Sequence, residues 1–322
     1  MSMRIIFMGT PDFAVASLDT LIKNNFNVVA VVTAPDKPAG RGQQIQQSAI
    51  KKYALEHNIK LLQPEKLKDE GFIEELKDLK ADLQFVVAFR MLPEIVWNMP
   101  KMGTYNLHAS LLPKYRGAAP INWAVINGEK ESGVTTFKLK HEIDTGNILY
   151  QEKVNIDADT TAGELHDKLM NVGADLILKT AKTIQISFEN GEELKFLPQK
   201  EDLVCHAPKI FKEDCLIDWE KTAREINNLI RGLSPYPTAY SWLKNGEDAT
   251  PQLVKIFKAK VEMREGDHTN GLLLTDNKTF LKVFCEDGLI EITELQLQGK
   301  KRITIPEFLR GFTIKDNAMF KA

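Results

Sequence analysis

The sequence predicts an α/β protein in which a mostly parallel sheet domain precedes a smaller β-barrel domain. An apolar run over residues 4–8, a helical stretch ending near Asn24 and a second apolar run over residues 27–33 together predict a parallel βαβ unit. Beyond residue 238, short alternating segments recur at a spacing typical of a small barrel. A length of 322 residues is sufficient for two such domains.

The first helix is predicted to begin in the turn Gly9-Thr-Pro-Asp12. Thr10 is a favourable N-cap, and Pro11 suits the first helical position because proline has no backbone N–H to satisfy there. A dinucleotide-binding βαβ unit carries the pattern G-x-G-x-x-G at this turn, and that pattern is missing here. The sequence therefore argues against an NAD site.

The remainder of the first domain is predicted to alternate helices and strands. Residues 34–47 include two prolines and two glycines, so they are expected to form an irregular loop that is poorly ordered without a partner. A long helix over residues 160–189 is predicted to begin with a capping box between Thr160 or Thr161 and Glu164. The other predicted helices cover 48–57 and 66–80, and the other strands cover 59–62, 83–89, 133–139 and 148–156, of which the last two are expected to be antiparallel.

Residues 195–208 lack a clear periodicity, which places the domain boundary there. The predicted division is a catalytic domain over 1–190, a linker over 191–207 and a second domain over 208–322. The second domain is expected to open with a helix over 222–233, which Ser234-Pro-Tyr-Pro-Thr238 ends. Strands are then predicted over 239–243, 252–261, 271–275, 280–285 and 289–297, followed by a last helical turn over 305–311.

One stretch of the first domain carries the strongest chemical signal. Residues 104–108 alternate like a strand, so Asn106 and His108, two residues apart, leave the same face. The chain then turns at Ser110-Leu-Leu-Pro113, and a helix within residues 117–128 is predicted to end at Gly128. In an open α/β sheet, ligands bind at the carboxyl ends of the parallel strands. An amide and an imidazole in that position form a candidate site, although such a pair is also common as satisfied structural groups.

The acidic turn Ile143-Asp-Thr-Gly146 strengthens this candidate site. An amide, an imidazole and a carboxylate together suit acyl transfer. The amide polarises a carbonyl group, the imidazole handles a proton, and the carboxylate orients the imidazole and fixes its tautomer. We therefore predict that Asn106, His108 and Asp144 converge on one reacting atom, directly or through one water molecule.

The composition is that of an ordinary soluble globular protein, with 43% hydrophobic residues, 27% charged residues and a formal net charge of −2. No global basic field indicates nucleic acid, so any such contact must come from local patches. The three cysteines form no C-x-x-C pair, and no cluster of metal ligands is evident. Neither a signal peptide nor a membrane-length apolar run is found, so we expect a cytoplasmic protein without a membrane partner.

Several tracts resemble the methionyl-tRNA formyltransferase family, which is part of the folate-dependent formyltransferase superfamily. Asn106-Leu-His108 and Asp144-Thr-Gly146 are similar to the two motifs that define the superfamily. The loop Lys37-Pro-Ala-Gly-Arg-Gly42 and the tract Arg231-Gly-Leu-Ser-Pro-Tyr-Pro-Thr-Ala-Tyr240 narrow the resemblance to the tRNA enzymes. With the tracts at 9–13, 110–113, 115–120 and 299–302, the resemblance covers nearly the whole chain.

This resemblance implies a Rossmann-like first domain and a second barrel of the OB type. It implies an enzyme that transfers a formyl group from 10-formyltetrahydrofolate, its co-substrate, to the α-amino group of methionine on initiator tRNA, without a metal. By position in the motifs, Asn106, His108 and Asp144 become the catalytic residues. The folate side of the site would be formed by Val87, Ala88, Phe89, Arg90, Ser110, Leu111, Leu112 and Pro113. No stable protein partner is indicated.

The resemblance also implies two tRNA-binding segments. Lys37 and Arg41 lie on the arm over residues 34–47, which would enter the acceptor stem, and Lys300, Lys301 and Arg302 would offer charge to its phosphates. One segment departs from the family. Phe89-Arg-Met-Leu-Pro93 is one residue shorter than the pattern Tyr-Gly-x-x-Leu-Pro and carries arginine where the family often has glycine.

Three other functions stay open at this point. A related enzyme could formylate a small amine such as a sugar nucleotide or glycinamide ribonucleotide, which gives no use to the Arg41 arm or the second domain. An enzyme that binds the same folate could instead hydrolyse it, with water in place of the amine. A non-catalytic RNA-binding module would suit a small barrel, but it leaves Asn106, His108 and Asp144 unexplained.

Overall fold

The computed structural model describes residues 2–39, 44–264, 266 and 268–321. By their internal contacts these residues form two compact units. The first unit contains Met1–Gly117, Glu131–Asn155 and His166–Ala207, and the second contains Ala118–Lys130, Ile156–Leu165 and Pro208–Ala322. Two short segments within the range that the sequence assigned to the first domain thus pack with the second unit.

The first unit is built on a seven-stranded sheet. In chain order its elements are β1 (Arg4–Gly9), α1 (Asp12–Lys23), β2 (Asn27–Val32), β3 (Lys37–Ala39), β4 (Gln44–Gln46), α2 (Ala49–Glu56), β5 (Leu61–Leu62), α3 (Glu70–Asp78), β6 (Leu83–Val87), α4 (Glu94–Trp97), β7 (Thr104–His108) and β8 (Arg116–Gly117). Helix α5 (Pro120–Ile126), of the second unit, precedes β9 (Glu131–Lys138), β10 (Ile148–Asn155), α6 (Ala162–Asn190) and β11 (His206–Ala207).

The sheet confirms the predicted mostly parallel architecture. Its strand order is β10-β9-β7-β6-β1-β2-β5. The five strands from β7 to β5 are parallel, and β9 is antiparallel to β7 as predicted. Strand β10 pairs antiparallel with β9 and therefore runs in the same direction as the five parallel strands, which corrects the prediction for β10. All five residues of β6 are buried, as expected for a central parallel strand with both faces covered. The carboxyl ends of β6 and β7 therefore open at one edge, where the candidate residues lie.

The start of α1 corrects the sequence prediction. The N-cap is Pro11 rather than Thr10, and Pro11 has an extended backbone with ψ of 176°. No side chain of this cap accepts a backbone N–H. Helical geometry begins at Asp12, whose carboxylate accepts the N–H of Phe13 at 3.0 Å. An acidic residue in the first turn suits the positive end of the helix dipole, which compensates for the missing cap.

Two other local predictions have different outcomes. The capping box of α6 is confirmed, because Thr161 N–H donates to Glu164 Oε2 at 2.8 Å and Glu164 N–H donates to Thr161 Oγ1 at 3.2 Å.

The loop predicted over residues 34–47 is less irregular than expected. Strands β3 and β4 pair antiparallel across it, and Arg41 lies outside the described residues.

The second unit contains α5 and a barrel-like sheet. Its further elements are α7 (Ala223–Leu233), β12 (Ala239–Lys244), β13 (Gln252–Met263), β14 (Leu273–Thr275), β15 (Leu281–Cys285), β16 (Gly288–Leu297), β17 (Ile303–Thr304), α8 (Ile305–Gly311) and β18 (Met319–Lys321). The strand order is β14-β15-β16-β13-β12-β18, and a bridge between Leu272 and Met319 joins the two edges. This near-closure of an antiparallel sheet confirms the predicted small barrel.

Helix α5 packs against α7, which explains why α5 groups with the second unit. Asn122 Nδ2 donates to the Gly232 carbonyl at 2.8 Å, and a Cβ at Gly232 would lie 2.5 Å from the side chain of Ile126. The glycine thus permits close approach of the two helices. Among the described residues, no helix combines the length and apolar character needed to span a membrane.

Candidate active site

The residue pairing places Asn106 and His108 at the carboxyl end of β7. Asn106 pairs with Val86 of the parallel neighbour β6, and His108 is the last residue of the strand. On the other side, His108 pairs with Thr135 of the antiparallel strand β9. The predicted position of the two residues at the carboxyl end of this strand is therefore confirmed.

The imidazole of His108 is held by the backbone rather than by a side chain. His108 is 6% exposed, and its Nε2 lies 2.8 Å from the carbonyl oxygen of Tyr115. A carbonyl only accepts, so Nε2 carries a hydrogen and donates it. The expectation that Asp144 fixes the tautomer is therefore wrong, because Tyr115 does so. Nδ1 remains available, and it lies 3.9 Å from Asp144 Oδ2.

Asp144 is presented by a turn with an unusual backbone. Its φ is +55°, a left-handed conformation that residues with a Cβ seldom adopt. Its Oδ2 accepts the N–H of Gly117 at 3.0 Å. The 3.9 Å separation from His108 is too long for a hydrogen bond, but it permits charge interaction or a bridging water. Gly146 lets this turn approach β9, since a Cβ there would lie 1.8 Å from the Lys138 carbonyl oxygen.

The side chain of Asn106 is half-buried. Within the part of the chain that the structure describes, its amide has no hydrogen-bond partner. A partly buried amide next to the His108 imidazole can donate an N–H to a ligand oxygen without first breaking an internal hydrogen bond. These three side chains thus supply an amide donor, an orientated imidazole and a carboxylate.

The turn after β7 is shaped by hydrogen bonds through its polar groups. Ser110 is fully buried, and its hydroxyl donates to the Lys114 carbonyl at 2.6 Å. Thr135 Oγ1 donates to the Ser110 carbonyl at 2.6 Å and accepts the N–H of Leu112 at 3.1 Å. The side chains of Ser110 and Leu112 are therefore internal. Of the turn residues that the sequence assigned to folate, Leu111 and Pro113 keep partly exposed side chains.

The four predicted folate-binding residues at and after the end of β6 also differ in how far their side chains are exposed. Val87 is fully buried, and Phe89 packs at the edge of a hydrophobic core cluster. Ala88 is exposed and has a φ of +48°. Arg90 donates through its guanidinium to the carbonyls of Pro64 and Glu65, the latter at 2.9 Å, and burial lowers its pKa. Arg90 therefore braces the neighbouring loop, and Ala88 leaves the strand end open.

The three cations of the basic turn after β16 differ in whether a carboxylate pairs with them. Lys300 and Lys301 are exposed, and neither has an ion-pair partner among the described residues. Arg302 instead pairs with Glu294, with Nε 2.6 Å from Oε2, and its guanidinium carbon lies 4.4 Å from the centre of the Phe257 ring. The charge of Arg302 is therefore largely compensated within the barrel, while no carboxylate among the described residues pairs with either lysine.

Two further polar residues, of which only Lys37 was named from the sequence, are exposed. Lys37 is exposed on β3. His141, a histidine close to Asp144 in the sequence, is exposed, and its Nδ1 lies 3.7 Å from Glu94 Oε2. Within the described ranges, no group of three histidine, cysteine or acidic residues could hold a metal ion.

Three residues at the site were not singled out from the sequence. Tyr115 contributes through its carbonyl oxygen, which no side-chain pattern reveals. Gln199 donates to the carbonyls of Asp144 and Gly146, and Arg116 in turn holds the amide oxygen of Gln199. Arg116 could have been found from the sequence, because it lies in the tract 115–120 that carries the family resemblance. Gln199 lies in a segment without periodicity and gave none.

The chain is similar to known formyltransferases over most of its length. The model of the formyl transferase family matches residues 3–181, and that of the formyl transferase C-terminal domain matches residues 209–313. A methionyl-tRNA formyltransferase of Bacteroides fragilis is 53% identical over 99% of this chain and 98% of its own, and one of Flavobacterium johnsoniae is 52% identical over 98% of each. A solved sugar 3N-formyl transferase with dTDP and 5-N-formyl-THF has a TM-score of 0.65 and 25% identity, over 94% of this chain and all of its own.

Proposed function

The chain belongs to the methionyl-tRNA formyltransferase family, and we propose that it formylates the α-amino group of methionine on initiator tRNA, with 10-formyltetrahydrofolate as the donor. The observation that carries this proposal is the arrangement at the end of β7. There the half-buried Asn106 amide has no hydrogen-bond partner among the described residues, and the orientated His108 imidazole lies 3.9 Å from the Asp144 carboxylate. This set suits the transfer of an acyl group to an amine.

In the proposed reaction, the bond from the formyl carbon to the folate N10 is replaced by one to the methionine nitrogen, and a proton moves from the amine to N10. Asn106 donates an N–H to the formyl oxygen as negative charge develops there, and protonated His108 donates from Nδ1. The Tyr115 carbonyl occupies Nε2, so only Nδ1 can serve this purpose. Asp144 collects the amine proton, directly or through water.

The residues around the site fit a folate co-substrate. Ala88 is exposed with a left-handed backbone, so the end of β6 offers backbone groups instead of a bulky side chain. Leu111 and Pro113 add partly exposed apolar surface after β7, which suits an aromatic ring. We propose that these residues, with the main chain of Val87, Phe89 and Arg90, form the folate side of the site. Ser110 and Leu112 would act by shaping the turn.

We extend the proposal to the tRNA. Residues 208–322 would form a tRNA-binding domain, in which Lys300 and Lys301 contact phosphates, and Lys37 and Arg41 would reach the acceptor stem from the first unit. The cytoplasm is the expected location. The similarity to a sugar formyltransferase keeps one alternative acceptor, an amino sugar nucleotide.

An acceptor comparison tests the proposed function. The purified protein is incubated with labelled 10-formyltetrahydrofolate and, in separate reactions, methionyl initiator tRNA, a dTDP-linked amino sugar or no acceptor. We expect formyl transfer to the charged tRNA at least about 100-fold faster than to the sugar, because the sugar leaves the tRNA-binding residues unused. A faster reaction with the sugar, or folate turnover at the same rate without acceptor, would contradict the proposal.

The salt dependence of tRNA binding should separate Lys300 and Lys301 from Arg302. Replacing both lysines with alanine is expected to lower the slope of log K against log salt by about two, because two phosphate contacts are lost. Arg302→Ala should change the slope by much less, since Glu294 already compensates that charge. Lys66→Ala with Lys68→Ala, both exposed on the first unit, is the matched control. Slopes in all three variants equal to that of the wild type would show that the turn does not contact tRNA.

A further inference from the structure

We infer that Gln199, in the predicted linker, is a positioning residue that holds the Asp144 turn for catalysis; this inference rests on the proposed function. Its Nε2 lies 2.7 Å from the Asp144 carbonyl oxygen and 2.8 Å from that of Gly146. Because a primary amide has two N–H groups, it can donate to both carbonyls at once. Gln199 thus closes the turn on either side of Thr145.

Arg116 determines which way the Gln199 amide points. Its Nε and Nη2 donate to Gln199 Oε1 at 3.0 and 2.8 Å. A guanidinium only donates, so the amide oxygen must face Arg116 and the nitrogen must face the turn. Arg116 is 8% exposed, and it also pairs with both carboxylate oxygens of Glu201. These hydrogen bonds lower the pKa of Glu201, so the pair stays charged at neutral pH.

The linker segment around Gln199 is attached to the first unit at two places. Before Gln199, Leu197 exchanges two backbone hydrogen bonds of 2.8 Å with Ile148 at the start of β10. After it, the Arg116 N–H donates to the Cys205 carbonyl at 3.0 Å, and β11 pairs parallel with β8. Gln199 is therefore presented from a fixed backbone, as a positioning group requires.

Asp144 needs such support because its backbone and its carboxylate are otherwise lightly held. Its left-handed φ of +55° is unfavourable for a residue with a Cβ, and such conformations persist where the surroundings hold them. Among the residues that the structure describes, its carboxylate accepts one hydrogen bond, from the Gly117 N–H. Without the two bonds from Gln199, the turn would relax and change the 3.9 Å separation between Asp144 Oδ2 and His108 Nδ1.

The substitution Gln199→Glu isolates this function. It keeps an oxygen for Arg116 but turns a second oxygen, without hydrogens, toward the two carbonyls. We expect kcat for formyl transfer to fall about 10- to 100-fold, with the KM for folate changed less than about threefold, because the change acts on a group of the transition state. Asn171→Asp, which adds the same charge at an exposed position of α6 in the first unit, is the control and should leave kcat unchanged.

A double-mutant cycle decides whether Gln199 acts through Asp144. On an Asp144→Asn background, Gln199→Glu should lower kcat by less than about twofold, since the group that it positions is already lost. Gln199→Met, which adds no charge, should lower kcat in the same non-additive way, and unfolding temperatures and folate binding confirm that each variant is folded. Equal factors in both backgrounds, or a wild-type kcat in Gln199→Glu, would overturn the inference. A wild-type protein that does not formylate methionyl-tRNA would instead overturn the proposed function.

Discussion

Replacement of His108 with alanine is expected to lower kcat for formyl transfer by about 10²- to 10³-fold and to change folate affinity little. The physical reason is that Nδ1 donates to an oxygen that gains negative charge only in the transition state, so the ground state loses almost nothing. The ring is already in place, because its Nε2 donates to the Tyr115 carbonyl at 2.8 Å. Single-turnover transfer to methionyl-tRNA and equilibrium binding of folate measure the two quantities separately.

A matched variant separates the chemistry of His108 from its support of Tyr115. His108→Gln can place its amide nitrogen near the position of Nε2 and keep the hydrogen bond to the Tyr115 carbonyl, but it has no group equivalent to Nδ1. It should therefore retain most of the stability of the wild type and lose about as much activity as His108→Ala. His141→Ala, at an exposed ion pair, should have wild-type kinetics. Near-normal turnover in His108→Gln would mean that the histidine is structural.

The longer elements of both units could be predicted from the sequence because their signals are local, whereas short ones such as α4 and β18 were missed. The alternation over residues 289–297 indicated the strand Gly288–Leu297, and the Thr161–Glu164 pair marked the start of α6. Asn106 and His108 were found for the same reason, since a strand and a spacing of two define a shared face. The error at Pro11 is a shift of one position in the start of α1, because sequence patterns define the ends of a helix less sharply than its interior.

What the sequence did not reveal depends on contacts between distant residues. Gln199 reaches a carbonyl 55 positions away, and a neutral amide in an irregular segment carries no pattern. Helix α5 was predicted, but its packing against α7 was not, because a local pattern indicates a helix and not what covers it. The pairing of Arg302 with Glu294 likewise depends on the strand neighbours β16 and β17. The sequence therefore predicted three uncompensated charges in the turn over residues 300–302, whereas Arg302 is paired in the structure.

Asp144→Asn is expected to lower kcat by about 10²- to 10⁴-fold, the range of a lost general acid–base group. Asparagine keeps an oxygen that can accept the Gly117 N–H, and it tolerates the left-handed backbone of this position better than most residues do. The substitution therefore removes the negative charge and the proton acceptor while it preserves the turn. Single-turnover formyl transfer at saturating folate measures this loss without a contribution from substrate binding.

The companion variant Asp144→Ala tests whether the turn or the carboxylate matters. Alanine loses the hydrogen bond with Gly117 and is strained at a φ of +55°, so it should lower the unfolding temperature more than Asp144→Asn does. Its kcat, however, should be at most about tenfold lower than that of Asp144→Asn, because the proton acceptor is absent from both variants. A fully active Asp144→Asn protein, with only Asp144→Ala impaired, would assign Asp144 to the backbone of the site and remove it from the chemistry.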